Sequence, residues 1–161
     1  GGHCIAVDPW FLVSSAPEET RLIRTARQVN DSRPAYYVGR ILQTVEGLVS
    51  PTVAVLGLTF KANVDDLRQS PALAITEQVA AGAPHAQILV AEPRADALPP
   101  SLARWANVRL TGCRQAVERA DVVVVPVSHQ EFSDLDPLLL KGRTVIDATG
   151  LWSRRSPRLA G

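Results

Sequence analysis

Apolar residues along this chain fall into two textures. From about 17 to 49 they recur three and four positions apart, which places them on one face of a helix. From 52 onward they come in short unbroken runs rich in valine and isoleucine, the pattern of strands buried on both faces. The first texture predicts a helix opening near Pro17, with Ser15 as its cap, Glu18 and Glu19 in the first turn, and Leu22, Ile23, Ala26 and Val29 on its apolar side. Pro34 is expected to interrupt it, because the residue before a proline resists helical geometry. A second helix over 34–49 then carries Val38, Ile41, Leu42, Val45, Leu48 and Val49, and Ser50-Pro51 closes it. Residues 1–16 read as a loop punctuated by Pro9 and Pro17.

The second texture predicts strands at 52–57, 87–91, 108–110, 121–127 and 144–147. Helices at 71–81, closed by Gly82, and at 113–119 alternate with them. Buried parallel strands alternating with helices make an α/β chain, a Rossmann-like doubly wound parallel sheet preceded by a helical segment. The expected organisation is 1–50, a loop and helices, followed by 51–161, the sheet domain.

Composition narrows the class. With 161 residues, 46% hydrophobic and 20% charged, the chain can bury a core of its own. The net charge of +1 with mixed signs gives no reason to expect a nucleic acid or an anionic membrane as partner. No apolar run approaches the ~20 residues that span a bilayer. Cys4 and Cys113 fit reduced thiols of a cytoplasmic protein better than a disulfide framework or a metal site. The chain has no methionine, so it reads as a portion of something longer.

A doubly wound sheet binds its ligand at the carboxyl ends of its strands. The loop after the first strand lacks a GxGxxG fingerprint, Gly57 being its single glycine, so a dinucleotide pyrophosphate packed on that turn is not expected. Instead it carries Lys61 and Arg68, cations suited to phosphate, and Ser70-Pro71, a helix cap whose free N–H groups suit an anion. The plainer alternative is that Lys61 and Arg68 pair with Asp65 and Asp66 on the surface. Cys4 in its glycine turn, with Asp8 four residues on, could be a nucleophile with a proton-transfer partner, or a small buried hydrophobe. His3 beside it could lower the thiol pKa. Arg21, Arg24 and Arg27 form a basic stripe that suits either solvent or an anion. Glu92, at the end of the second strand, occupies the place of a ribose-binding acid, a role given little weight without the glycine fingerprint. Cys113, His85 and His129 stand in no constellation and read as structural or surface residues.

Two motifs together, GGHCIAVDP at 1–9 and GLTFKANVDDLRQSPA at 57–72, resemble the UDP-glucose/GDP-mannose dehydrogenase family. GGHCIAVDPWF followed by LIRTARQVND at 22–31 is most similar to the UDP-N-acetyl-D-mannosaminuronate dehydrogenases within it. The resemblance covers almost the whole chain. It implies an NAD-dependent, metal-free cytoplasmic enzyme that oxidises the C6 alcohol of a UDP-sugar to a carboxylate, in surface or capsular polysaccharide synthesis. Residues 51–161 would match the UDP-binding domain, and the helix near 34–49 the connecting helix through which the family forms homodimers. Cys4 would match the nucleophile that carries thiohemiacetal and thioester, and Asp8 the aspartate that assists proton transfer. Phe60 and Lys61 would match positions contacting the nucleotide-sugar, and Arg68 an arginine reaching NAD across the domain cleft.

Departures from the family pattern bear on three places. Gln69 stands where a glutamate is common. Ala148 and Thr149 lie near where a basic residue meets the nucleotide, a role Arg143 or Arg154 could take. The family's catalytic lysine, its neighbouring asparagine and its NAD glycine fingerprint would precede the GGHC motif. The chain is therefore expected to be the C-terminal part of such a dehydrogenase, inactive alone. The alternative is a stand-alone nucleotide-sugar-binding or regulatory module without catalysis.

Overall fold

A computed structural model describes residues 3–152. The chain starts with two helices, α1 (His3–Ser15) and α2 (Arg21–Glu46). The sheet half follows with β1 (Thr52–Leu56), α3 (Pro71–Gly82), β2 (Gln87–Ala91), α4 (Pro100–Ala103) and β3 (Val108–Leu110). It continues with α5 (Cys113–Arg119), β4 (Val122–Val125), α6 (Gln130–Ser133), a 3-10 turn at Pro137–Leu140 and β5 (Thr144–Asp147). The strands form one parallel sheet in the order β3-β2-β1-β4-β5, with Val53 paired to Ile88 on one side and to Val122 on the other. The chain thus winds outward from β1 to β3 and returns to β4 beside β1, the doubly wound arrangement.

Alternation along each strand feeds two cores, one per face of the sheet. Val53, Val55, Ile88, Val90, Val122, Val124 and Ile146 pack against α2, α3 and α4 through Val38, Ile41, Val45, Ile75, Val79 and Leu102. Ala54, Leu56, Leu89, Val123 and Val125 pack on the opposite face against Ala116, Val117, Phe132, Leu140 and Trp152. Burial of apolar surface at about 25 cal/mol per Å2 on both faces explains why these strands read as continuous runs.

The helical segment differs from its sequence reading. Residues 3–15 are helical through Pro9, not a loop, and Val13 is buried. The turn at 17–20 holds the residues assigned to a helix start, and α2 begins at Arg21 with Thr20 rather than Ser15 at its N-cap. Nor does Pro34 divide α2, which runs unbroken to Glu46. A proline inside a helix costs about 3 kcal/mol through the lost N–H bond and its ring's clash. Here Arg27 bridges one turn to Asn30 and Asp31 just ahead of it, and Val38, Ile41 and Val45 are buried behind it, so tertiary packing outweighs the local cost. Because those three residues face the sheet, they are not available to a partner subunit.

The turns at the top of the sheet are specified residue by residue. Gly57 follows β1 at φ +95°, and a Cβ there would lie 2.8 Å from that of Val127. Ser70 caps α3 as its position before Pro71 predicts: its Oγ accepts from the N–H of Leu73 and donates to the carbonyl of Leu58 at 2.6 Å. The start of α3 is thereby tied to the loop leaving β1.

Candidate functional site

The crevice outside β1 and β4, where the winding reverses, is lined by the loops that follow β1, β2 and β4. Three residues from these loops, Thr59, Glu92 and His129, make a buried polar knot. Glu92, just past β2, accepts through Oε2 from the backbone N–H of Leu58 at 2.6 Å and of Thr59 at 3.3 Å, and through Oε1 from Arg94 N–H at 3.0 Å. His129, just past β4, is fully buried, with Nε2 3.3 Å from Glu92 Oε2 and 3.1 Å from Thr59 Oγ1. Its Nδ1 accepts from the N–H of Asn63 at 3.0 Å. Burial pushes the Glu92 carboxyl up, but the hydrogen bonds from His129, Leu58 and Arg94 outweigh it and leave the pKa below the ordinary glutamate value. With its lone pairs committed to protein donors, Glu92 holds loops together instead of binding a ribose. His129, placed in no constellation and read as structural or surface, is a buried structural residue bonded to Thr59, Asn63 and Glu92. The signal available was its place, directly after the strand beside β1.

Asp147, at the end of β5, does similar work. It accepts from the N–H groups of Thr149, Gly150 and Trp152 and from the Thr149 hydroxyl, shaping the turn through 148–152. Burial pushes its pKa up, but the hydrogen bonds, led by those from Trp152 and Thr149, outweigh it and leave the pKa below the ordinary aspartate value. Arg143 lies at the other end of β5 and donates to the carbonyls of Val117, Glu118 and Lys141, capping α5, so it does not serve the crevice. Arg154 lies outside the described residues.

The two long motifs meet at one cleft of about 390 Å3. Ala6 of α1, Arg27, Asn30 and Asp31 of α2, and Leu67, Gln69, Ser70 and Pro71 at the start of α3 line it. Cys4 and Asp8, two residues to either side of Ala6, share with each other a helix face that Ala6 does not, and both are exposed. Arg68 reaches over the same edge. Its guanidinium grips Asp66 with two parallel bonds, Nε to Oδ1 at 3.0 Å and Nη2 to Oδ2 at 2.7 Å. Asp66 raises the Arg68 pKa, first through the hydrogen bond and then through its charge, and the sulfur of Cys4 adds a smaller charge contribution. Thiol and guanidinium therefore lie within electrostatic reach of each other. The plainer reading of Arg68, pairing with a neighbouring aspartate, is also met, and the pairing fixes the direction in which the cation points.

Phe60 and Lys61 form the outer turn of the loop. Phe60 is half-buried and Lys61 exposed, with no ammonium partner among the described residues. The basic stripe dissolves: Arg21 pairs with Glu18 in solvent, Arg24 is exposed, and Arg27 is buried against Asp31. Cys113 is partly buried, and burial pushes its thiol up to about 12, an unreactive state. His85 is exposed beside the α2 terminus. Among the described residues no group of His, Cys, Asp and Glu gathers as metal ligands would. No helix there is long and apolar enough to cross a membrane.

Residues 54–154 match the UDP binding domain of the UDP-glucose/GDP-mannose dehydrogenase family. The chain belongs to that family. An NDP-N-acetyl-D-galactosaminuronic acid dehydrogenase of Ralstonia nicotianae is 48% identical over 155 residues, 96% of this chain and 36% of the relative. A UDP-N-acetyl-D-mannosamine dehydrogenase of Campylobacter jejuni is 47% identical over 135 residues, 84% of this chain and 33% of the relative. Among solved structures, a UDP-D-ManNAc dehydrogenase from Pyrococcus horikoshii superposes with a TM-score of 0.72 at 30% identity, over 94% of this chain and 35% of its own. The chain thus spans about a third of the length of the dehydrogenases it matches, in their C-terminal region. Family membership bears out the fold read from the sequence, and it places the nucleotide-binding expectation on the sheet domain.

Proposed function

We propose that this chain supplies the reactive thiol and the nucleotide grip of an NAD-dependent dehydrogenase that oxidises the C6 alcohol of a UDP-N-acetylhexosamine to the uronate. The manno configuration is the first substrate to test and the galacto the second, following the names of the relatives at 47% and 48% identity. The observation that carries this reading is the electrostatic proximity of Cys4 to Arg68 of the 57–72 loop, beside a cleft that Ala6 and Leu67, Gln69, Ser70 and Pro71 line.

In this reading Lys61 pairs with the phosphates and Phe60 packs on the nucleotide-sugar. The Cys4 thiolate adds to the C6 carbon of the aldehyde intermediate and holds it as a thiohemiacetal. Oxidation leaves a thioester on the same sulfur, which water releases while Asp8 takes the proton. A bound NAD would supply the hydride acceptor. The turn after β1 does not fit a dinucleotide of its own, because Gly57 is packed on Val127 and His129 instead of lying open to a pyrophosphate. What this chain offers NAD is Arg68 at the cleft edge.

The chain is expected to bind UDP but not to turn over by itself. The outward side of α2, with Leu22, Val29 and Tyr36 exposed, supports homodimerisation through this helix. Calorimetric titration of UDP into the chain tests the reading. A saturable heat that Lys61→Ala weakens about tenfold, as expected for loss of a charge-assisted bond, supports it. Heat indistinguishable from dilution into buffer refutes it.

A further inference from the structure

We infer that His129, held as the neutral tautomer with its proton on Nε2, is the positioning residue for the loop segment that carries Phe60 and Lys61. Its relevance to nucleotide binding rests on the reading of that loop given above. The tautomer follows from the donors around the ring. Nδ1 accepts from the Asn63 N–H and so bears no proton, which leaves the proton of a neutral ring on Nε2. The Thr59 hydroxyl donates to the carbonyl of Lys61 at 2.9 Å, so its oxygen is free to accept from Nε2–H, with Glu92 Oε2 as the second acceptor.

The ring cannot easily be replaced by water. It is fully buried, it meets Phe132 edge to face at a centroid distance of 5.3 Å, and a Cβ on Gly57 would lie 3.2 Å from its Cδ2. Its two nitrogens hold positions 59 and 63 at once, and Phe60 and Lys61 are strung between those two anchors. Asn63 sits in the left-handed region at φ +62°, a conformation that needs external support. That support comes from His129 and from the adjoining Gln130 N–H, which donates to Asn63 Oδ1 at 2.9 Å. The loop that would grip the nucleotide is therefore fastened to the end of β4, across the point where the sheet winding reverses. His129 is fully buried, so it acts through the loop and not on a ligand.

The two substitutions that split the ring's functions test this on the 161-residue chain. His129→Asn keeps an acceptor where Nδ1 stood, while His129→Gln keeps a donor where Nε2 stood and abandons the Asn63 N–H. Loss of the acceptor for the part-buried Asn63 N–H disfavours the held loop, so UDP binding is expected to weaken about tenfold in His129→Gln, with faster hydrogen exchange at the Asn63 amide. His129→Asn should stay within about threefold of wild type on both readouts. Equal behaviour of the two variants overturns the inference. So does a wild-type 15N spectrum with the His129 proton on Nδ1, a result that needs no variant to fold. If no form binds UDP, the nucleotide reading falls, and Asn63 exchange alone then decides the positioning claim: protected in Asn and lost in Gln supports it, no difference overturns it.

Discussion

The two halves of this molecule hold together by different means. The sheet half closes on itself: strands bury both faces, and its charged interior groups, Glu92 and Asp147, are saturated by backbone N–H donors. The helical half does not. Only the rear of α2 joins the core, while Ile5, Phe11 and Leu12 of α1 and Leu22 and Val29 of α2 lie in solvent, Leu22 at 81%. The thiols divide the same way, with Cys113 half-buried in the sheet half and Cys4 exposed in the helical one. In the proposed reading, the half built for internal stability carries the nucleotide grip, and the half with uncovered apolar surface carries the reactive group.

The largest effect expected from this contrast is at Ile41, wholly buried in α2. Ile41→Ala should cost about 2–5 kcal/mol in urea unfolding, because it opens a cavity under the sheet. A cost below about 1 kcal/mol would mean that α2 is not part of the sheet's core. Gly57→Ala comes next, at about 2–3 kcal/mol, since it adds a Cβ at positive φ against Val127. It should also weaken UDP binding, because the loop that follows would have to shift.

Acid should act on the sheet half through its two clamps. Both carboxyls have native pKa values below their ordinary 4.5 and 3.8, so their stabilisation is complete above those values and is lost as pH falls through the native ones. Urea midpoints should therefore drop below about pH 4.5, and Glu92→Gln should make the drop shallower. An unchanged slope would show that the Glu92 bonds carry no linkage. Smallest of all, Leu22→Ala should stay within about 0.5 kcal/mol, the counterpart of Ile41→Ala on the same helix.

Legibility in the sequence followed the same division. Strands 87–91, 108–110 and 144–147 and the helix at 113–119 match the structure residue for residue, because buried β-branched runs and glycine or proline punctuation are local signals. Ser70 was readable for the same reason. Pro9 and Pro34 misled, since a proline reports only a local cost, and the burial that overrides it comes from a sheet not yet formed. The Glu92–His129 knot was invisible because its members sit 33 to 70 residues apart and meet only through strand order. The site motifs were legible as spelling, through Cys4, Asp8, Phe60, Lys61 and Arg68. That Ala6 of the first motif and Leu67, Gln69, Ser70 and Pro71 of the second line one cleft is a product of tertiary packing, which spelling does not encode.

Alkylation of Cys4 tests whether the thiol and the proposed nucleotide grip serve one substrate. Iodoacetamide should modify exposed Cys4 readily and leave Cys113 largely untouched, so Cys113 serves as an internal standard for an intact fold. Saturating UDP-N-acetylmannosamine should slow the Cys4 reaction several-fold without changing Cys113. An unchanged Cys4 rate, with the ligand shown bound by calorimetry, would mean that the thiol and the nucleotide grip do not serve one substrate.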